Sequence, residues 1–221
     1  MILVFDLDDT LYPEQTFVLS GFKTVAKIIS SICNQSEEKI NQELIYEFRT
    51  KGRGKVFDNV MSQNRIFSQA LLDRCISEYQ NHLPDISLFP GALEIIQEAH
   101  SFHKYIVTDG NPLTQNNKVD ALGIRHHFCE VFPTWSYGLE FAKPSIAVFQ
   151  RIIERENSSF ENLIYLGDDP HKDFVSLNKV GAITVRVLTG RFATLSAEID
   201  FDAQITIGDI SQFDVSQYLS N

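Results

Sequence analysis

The chain has 221 residues, 43% of them hydrophobic, and sets 29 acidic side chains against 19 basic ones, leaving a formal net charge of −10 and a pI near 5.0. That length fills one large domain or a domain with an insert. The charge argues against non-specific attraction to nucleic acid, whose phosphates would be repelled over most of the surface, so an anionic substrate must meet a local positive centre. Cys33, Cys75 and Cys129 are scattered without CxxC spacing and read as reduced, mostly buried thiols of a cytosolic protein. The opening "MILVFD" has no basic region, long apolar stretch or cleavage site of small residues, so no signal peptide is expected, and no run approaches a membrane span.

In chain order, "ILVFD" (2–6) is the first short apolar run of the kind that forms a strand buried on both faces. After it, Val18, Phe22, Val25, Ile29 and Ile32 fall at helical spacing, Ile40, Leu44, Ile45 and Phe48 repeat the stripe, and Leu71, Leu72, Cys75, Ile76 and Tyr79 make a third. Tyr12-Pro13 and "HLPDISLFPG" punctuate this helical stretch at its two ends. Five further apolar runs follow: "KYIVTDG" (104–110), "EVFPT" (130–134), "LIYLGDD" (163–169), "ITVRVL" (183–188) and "AQITIGD" (203–209). Helical patterns starting at Gly91, Leu113, Pro144 and Lys172 separate them.

Strand and helix alternating in this way predict an α/β fold with a doubly wound parallel sheet, Rossmann-like in kind. A βαβ unit needs only about 30 residues, so the long interval after the first strand must contain an insertion. Residues 1–11 and 89–221 are read as the core and 12–88 as a helical module.

Ligands of such sheets sit at the carboxyl ends of the strands. There the first strand presents Asp6 and then Asp8, the second Thr108-Asp109-Gly110-Asn111, and the fourth Gly167-Asp168-Asp169 with Asp173 following. Lys143, just before Pro144 at the start of a helical pattern, falls at the same edge. Crowded carboxylates repel by roughly 4 kcal/mol per pair at 4 Å for an effective dielectric constant near 20, and a bound cation is the first candidate to offset this. Oxygen donors with no competing Cys/His set suit Mg²⁺.

Phosphoryl transfer needs a nucleophile, a proton carrier, charge neutralisation and a metal. Asp6 at the strand tip is read as the nucleophile that forms an aspartyl phosphate, and Asp8, two residues on, as acid and base. Thr108, Asp109 and Lys143 are the candidate phosphate-binding residues. Asp168 is expected to hold the metal with Asp6, with Asp173 and Asp169 supporting. Taken singly, Thr108 would be a strand-end cap and Lys143 a solvated surface lysine; their order along the chain reverses both readings.

Together these stretches resemble the haloacid dehalogenase superfamily: "FDLDDT" matches its DxDxT first motif, Thr108 its second, Lys143 its third and "GDDPHKD" its fourth. The resemblance implies a Rossmann-like core, Mg²⁺, an aspartyl-phosphate intermediate on Asp6, a backbone carbonyl of Asp8 on the metal, and a helical cap between the first two motifs that closes over substrate. Haloacid dehalogenases proper lack the second aspartate of DxD, so within the resemblance Asp8 moves the chain toward the phosphatases. The "VTDGNPLTQNNKVDALGI" run resembles the sialic-acid-9-phosphate phosphatase and nucleotidase branches, although Asp109 stands where asparagine is common there.

The expected activity is Mg²⁺-dependent hydrolysis of a small phosphorylated metabolite, a sugar phosphate or a nucleoside monophosphate, by a cytoplasmic enzyme that binds neither nucleic acid nor membrane, with a homodimer left open. A phosphomutase of the same fold and a non-catalytic phosphate-sensing or scaffold protein are the alternatives. Arg49, Lys51, Arg53 and Lys55 in "RTKGRGK" read as a solvated loop between helices, with recognition of a second substrate anion as the other reading. His171 either touches substrate or lines its loop.

Overall fold

The computed structural model describes residues 1–218. Six strands, β1 (Ile2–Phe5), β2 (His103–Thr108), β3 (Glu130–Pro133), β4 (Leu163–Gly167), β5 (Ile183–Val187) and β6 (Ile205–Ile207), form one parallel sheet in the order β3-β2-β1-β4-β5-β6. All four residues of β1 and all five of β4 are buried, as expected where helices cover both faces of a parallel sheet. Ile2 and Val4 join Tyr105, Val107, Leu163 and Tyr165 in a cluster sealed by Val148, Phe149, Ile152 and Ile153. Those last four lie on α7 (Ala147–Arg155), whose apolar positions recur at helical spacing. Leu3 and Phe5, at the alternate positions of β1, are buried from the opposite side.

The remaining helices beside the sheet are α5 (Ala92–Glu98), α6 (Pro112–Ala121) and α8 (Val175–Lys179). α6 has a sharply defined start: Pro112 occupies the first turn, where its missing N–H costs nothing, and the Asn111 side chain accepts from the N–H groups of Leu113 (3.0 Å) and Thr114 (3.2 Å). The chain divides into two compact units, one of Met1–Glu14 with the stretch from Ile86 onward, the other Gln15–Asp85.

The second unit is helical. It contains nearly all of α1 (Glu14–Ser30), then α2 (Glu37–Lys51), α3 (Val56–Gln63) and α4 (Gln69–Asn81). Ser36 and Ser68 cap α2 and α4 by accepting from Lys39 N and Leu71 N, each at 3.2 Å. Phe22 meets Phe48 and Phe57 edge to face, and Tyr79 meets Phe57 in the same way. Glu47 is buried yet satisfied, accepting from Lys51, Asn59 and Gln63 at 3.0, 3.2 and 2.6 Å, which ties α2 to α3.

Several expectations need correction. Ile32 is 50% exposed because α1 ends at Ser30, and α3 goes unmarked by any of the three stripes. β6 lies at the sheet edge with Ile205 39% exposed, so it is not buried on both faces. α7 begins at Ala147 rather than Pro144, and the Lys143–Pro144 bond is cis. Of the three free cysteines only Cys75 is buried. No helix among the described residues is long and apolar enough to cross a membrane.

Candidate active site

The strand order places its switch point between β1 and β4, and β1 and β4 end side by side there: Asp6 N donates to Leu166 O at 2.8 Å. Asp6, the residue after β1, therefore stands beside Gly167-Asp168, where β4 ends. Asp6, Asp168 and Asp173 each offer a carboxylate oxygen within 4.8 Å of the others, and all three are buried. Gly167 makes room for this: a Cβ there would lie 2.6 Å from Asp173 Oδ2.

Lys143 enters from beyond β3, its side chain only 1% exposed, and spans the trio with Nζ 2.9 Å from Asp6 Oδ1 and 2.8 Å from Asp173 Oδ1. It also donates to Tyr165 Oη at 2.9 Å, so its three N–H groups are all engaged. Asp173 is occupied on both oxygens, since Tyr165 donates to Oδ1 (3.1 Å) and Asp169 N to Oδ2 (2.9 Å). It is placed to orient the cluster more than to offer a vacant oxygen.

The charges of the cluster are unbalanced. Burial pushes Asp6 up to about 7 against the pull of Lys143, and burial together with the Asp6 and Asp173 charges pushes Asp168 up to about 9. Burial alone would lower Lys143, but Asp173 and Asp6 hold it well above its ordinary value. Buried oxygen donors that resist ionisation together are the chemistry a hard divalent cation satisfies, and Asp6 and Asp168 with Asp173 behind them fit Mg²⁺.

Thr108, the last residue of β2, is 1% exposed and its hydroxyl accepts from Gln115 Nε2. The Asp109 side chain does not stand free to meet a phosphate: it accepts from Thr134 Oγ1 (2.8 Å), Lys143 N (3.0 Å) and Lys172 Nζ (2.9 Å). Burial opposes its ionisation, yet Lys143 and Lys172 hold its pKa low. Asp8 is gripped from the other side, accepting from Lys118 Nζ at 2.8 and 2.9 Å, from Gln115 Nε2 at 3.0 Å and from the Tyr12 hydroxyl. Those donors outweigh burial and lower its pKa.

Asp9 has a structural post of its own. With φ +54° it accepts from Glu14 N (2.9 Å) and Arg191 N (3.4 Å), while its carbonyl accepts from the Thr189 hydroxyl. The segment after β5 is thereby drawn to the carboxylates, and Asp6, Asp8, Asp9, Asp168 and Asp169 share a small cleft of about 60 Å³ with Lys172 and Arg191. His171 Nδ1 lies 2.8 Å from Asp169 Oδ1. Thr10 is fully buried, and its hydroxyl has no hydrogen-bond partner among the described residues.

Lys172, Tyr165, Gln115, Lys118 and Arg191 escaped the sequence reading. Lys172 had a signal, since it lies inside "GDDPHKD"; the others reach the cleft through contacts that local spacing does not encode. In the helical unit Arg49, Lys51, Arg53 and Lys55 are all exposed, with Lys51 paired to Glu47 at 3.0 Å and the Arg53 guanidinium 5.9 Å from the centre of the Phe48 ring.

Comparison with known proteins places these features in a wider set. A family model described as haloacid dehalogenase-like hydrolase matches residues 3–187. A glyceraldehyde 3-phosphate phosphatase of Methanocaldococcus jannaschii is 28% identical over 95% of the chain and 93% of its own length. Another from Methanopyrus kandleri is 25% identical over 90% and 89%. Among solved structures, a Bacillus subtilis HAD hydrolase bound to magnesium superposes with a TM-score of 0.67 at 20% identity, over 94% of each chain.

Proposed function

The chain belongs to the haloacid dehalogenase-like hydrolases, and from that premise we propose that this phosphoric monoester hydrolase removes phosphate from a small sugar phosphate, with Mg²⁺ and through an aspartyl phosphate on Asp6. The observation that carries the proposal is the buried trio Asp6, Asp168 and Asp173 spanned by Lys143. Three-carbon sugar phosphates are the first substrates to try, in view of the archaeal relatives named for glyceraldehyde 3-phosphate.

Bound Mg²⁺ would neutralise carboxylate and phosphoryl charge at Asp6 and Asp168, with the Asp8 carbonyl as a further oxygen. Asp6 attacks phosphorus through its carboxylate oxygen, and the bond from phosphorus to the ester oxygen breaks. The departing oxygen takes a proton from Asp8. Water then attacks phosphorus and gives a proton to Asp8, the bond between phosphorus and Asp6 breaks, and inorganic phosphate leaves with Asp6 restored. Lys143 and the Thr108 hydroxyl are assigned the phosphoryl oxygens that gain charge, while Asp109 contributes by holding Lys172 and the Lys143 backbone. The helical unit Gln15–Asp85 is assigned the role of a cap that selects substrate.

Phosphate release from a panel of three- to six-carbon sugar phosphates and nucleoside monophosphates, with and without Mg²⁺, tests the assignment. The expected result is Mg²⁺-dependent release that is fastest with a short sugar phosphate. Isomerisation of a sugar phosphate without phosphate release would replace the phosphatase by a mutase.

A further inference from the structure

Among the described residues, the hydrogen bonds to the Asp8 side chain are all donated to it. Tyr12 and Lys118 donate to Oδ1, Gln115 and Lys118 to Oδ2, which engages both oxygens. Two of these donors come from one face of α6. Gln115 and Lys118 are three residues apart, and are 1% and 4% exposed. Burying an ammonium is costly unless it is paired, and Asp8 is one of its partners. Gln115 also reaches Thr108 Oγ1 and Asp109 O (3.1 Å), and a Cβ on Gly110 would press on its side chain at 3.2 Å. Its amide is thus held between the loop after β1 and the end of β2. The capped start of α6, a few residues beyond Thr108, fixes where both side chains point.

We infer that Lys118 and Gln115 are positioning residues that hold the Asp8 carboxylate as the acceptor of the water proton when the aspartyl phosphate is hydrolysed. The inference rests on the reading of Asp8 as the proton carrier. These donors hold that carboxylate in one orientation beside the cleft, and the proton from water replaces one of the two Lys118 contacts. Loss of the array slows the second half of the reaction more than the first.

The test uses p-nitrophenyl phosphate with Mg²⁺, because its leaving group departs without needing a proton. In Lys118→Met, kcat should fall about 100-fold, within the range general base catalysis contributes. KM should fall with it, leaving kcat/KM within about threefold of wild type, and acid-quenched protein should carry covalent phosphate. Gln115→Ala should show the same pattern more weakly, and Lys118→Arg should restore most of kcat. If Lys118→Met does not fold, these two variants decide. Equal loss of kcat and kcat/KM without covalent phosphate, or no change at all, overturns the inference. Absence of turnover by the wild-type protein instead removes the phosphatase reading, and the inference falls with it.

Discussion

Asp9 illustrates how a residue beside the candidate site can hold the backbone around it. The "DLDDT" stretch displays three carboxylates of equal appearance, yet Asp9 turns to the backbone N–H groups of Glu14 and Arg191, whereas Asp6 faces Lys143 and Asp8 faces Lys118. The division of labour between Asp6 and Asp9 follows from their placement: Asp6 directly follows a strand, while Asp9 takes a positive φ. Gly190 makes the Asp9 contact feasible, with φ +64° and a hypothetical Cβ only 2.1 Å from Asp9 Cγ. Gly190→Ala should therefore destabilise the protein by on the order of 2 kcal/mol, combining backbone strain with displacement of Asp9. Urea denaturation checks this, and an unchanged midpoint would show that the 189–191 segment is not held as described.

Elements differ in how plainly the sequence announces them. The buried strands are legible because near-continuous apolar runs ending in polar residues have few other uses, and Thr108 and Asp168 follow directly from the rule that strand ends bear ligands. α3 is harder to see, since its eight residues supply too few turns for a periodic stripe. The α6 face bearing Gln115 and Lys118 is polar in sequence, and only its packing against the β1 loop gives it meaning. Arg186 is a similar case: it goes unremarked inside the apolar run of β5, yet it is a charged side chain 2% exposed that donates to Asp202 (3.1 Å to each oxygen), Phe192 O (2.9 Å) and Leu195 O (2.8 Å). It anchors the segment that carries Arg191 and Phe192 to the cleft. Arg186→Met should cost on the order of 3 kcal/mol by leaving those acceptors unmatched. Proteolysis should then cut first between residues 190 and 202, and wild-type resistance in that segment would contradict the anchoring role.

At the scale of the whole molecule, an acidic chain concentrates part of its charge in one cleft, where the proposed Mg²⁺ would offset it. Asp6, raised to about 7, and Asp168, raised to about 9, bind protons in the folded protein that the unfolded chain would have released above about 4. Stability of the metal-free protein therefore drains away as pH rises through that window, because the folded state holds the extra protons. On the proposed reading Mg²⁺ displaces them, so its affinity should rise severalfold between about pH 6 and pH 8, with proton release on binding. Titration calorimetry in buffers of different ionisation enthalpy measures both. Equal affinity at the two pH values, with no proton released, would show that these carboxylates do not receive the ion.

The central claim is that the Asp6 carboxylate carries the phosphoryl group during turnover. Phosphate release from p-nitrophenyl phosphate by wild-type protein and Asp6→Asn, each with and without Mg²⁺, addresses it most directly. The account predicts Mg²⁺-dependent turnover by the wild type and a loss of about a thousandfold or more in the variant, whose amide is a poor nucleophile. Turnover by Asp6→Asn at the wild-type rate would contradict it.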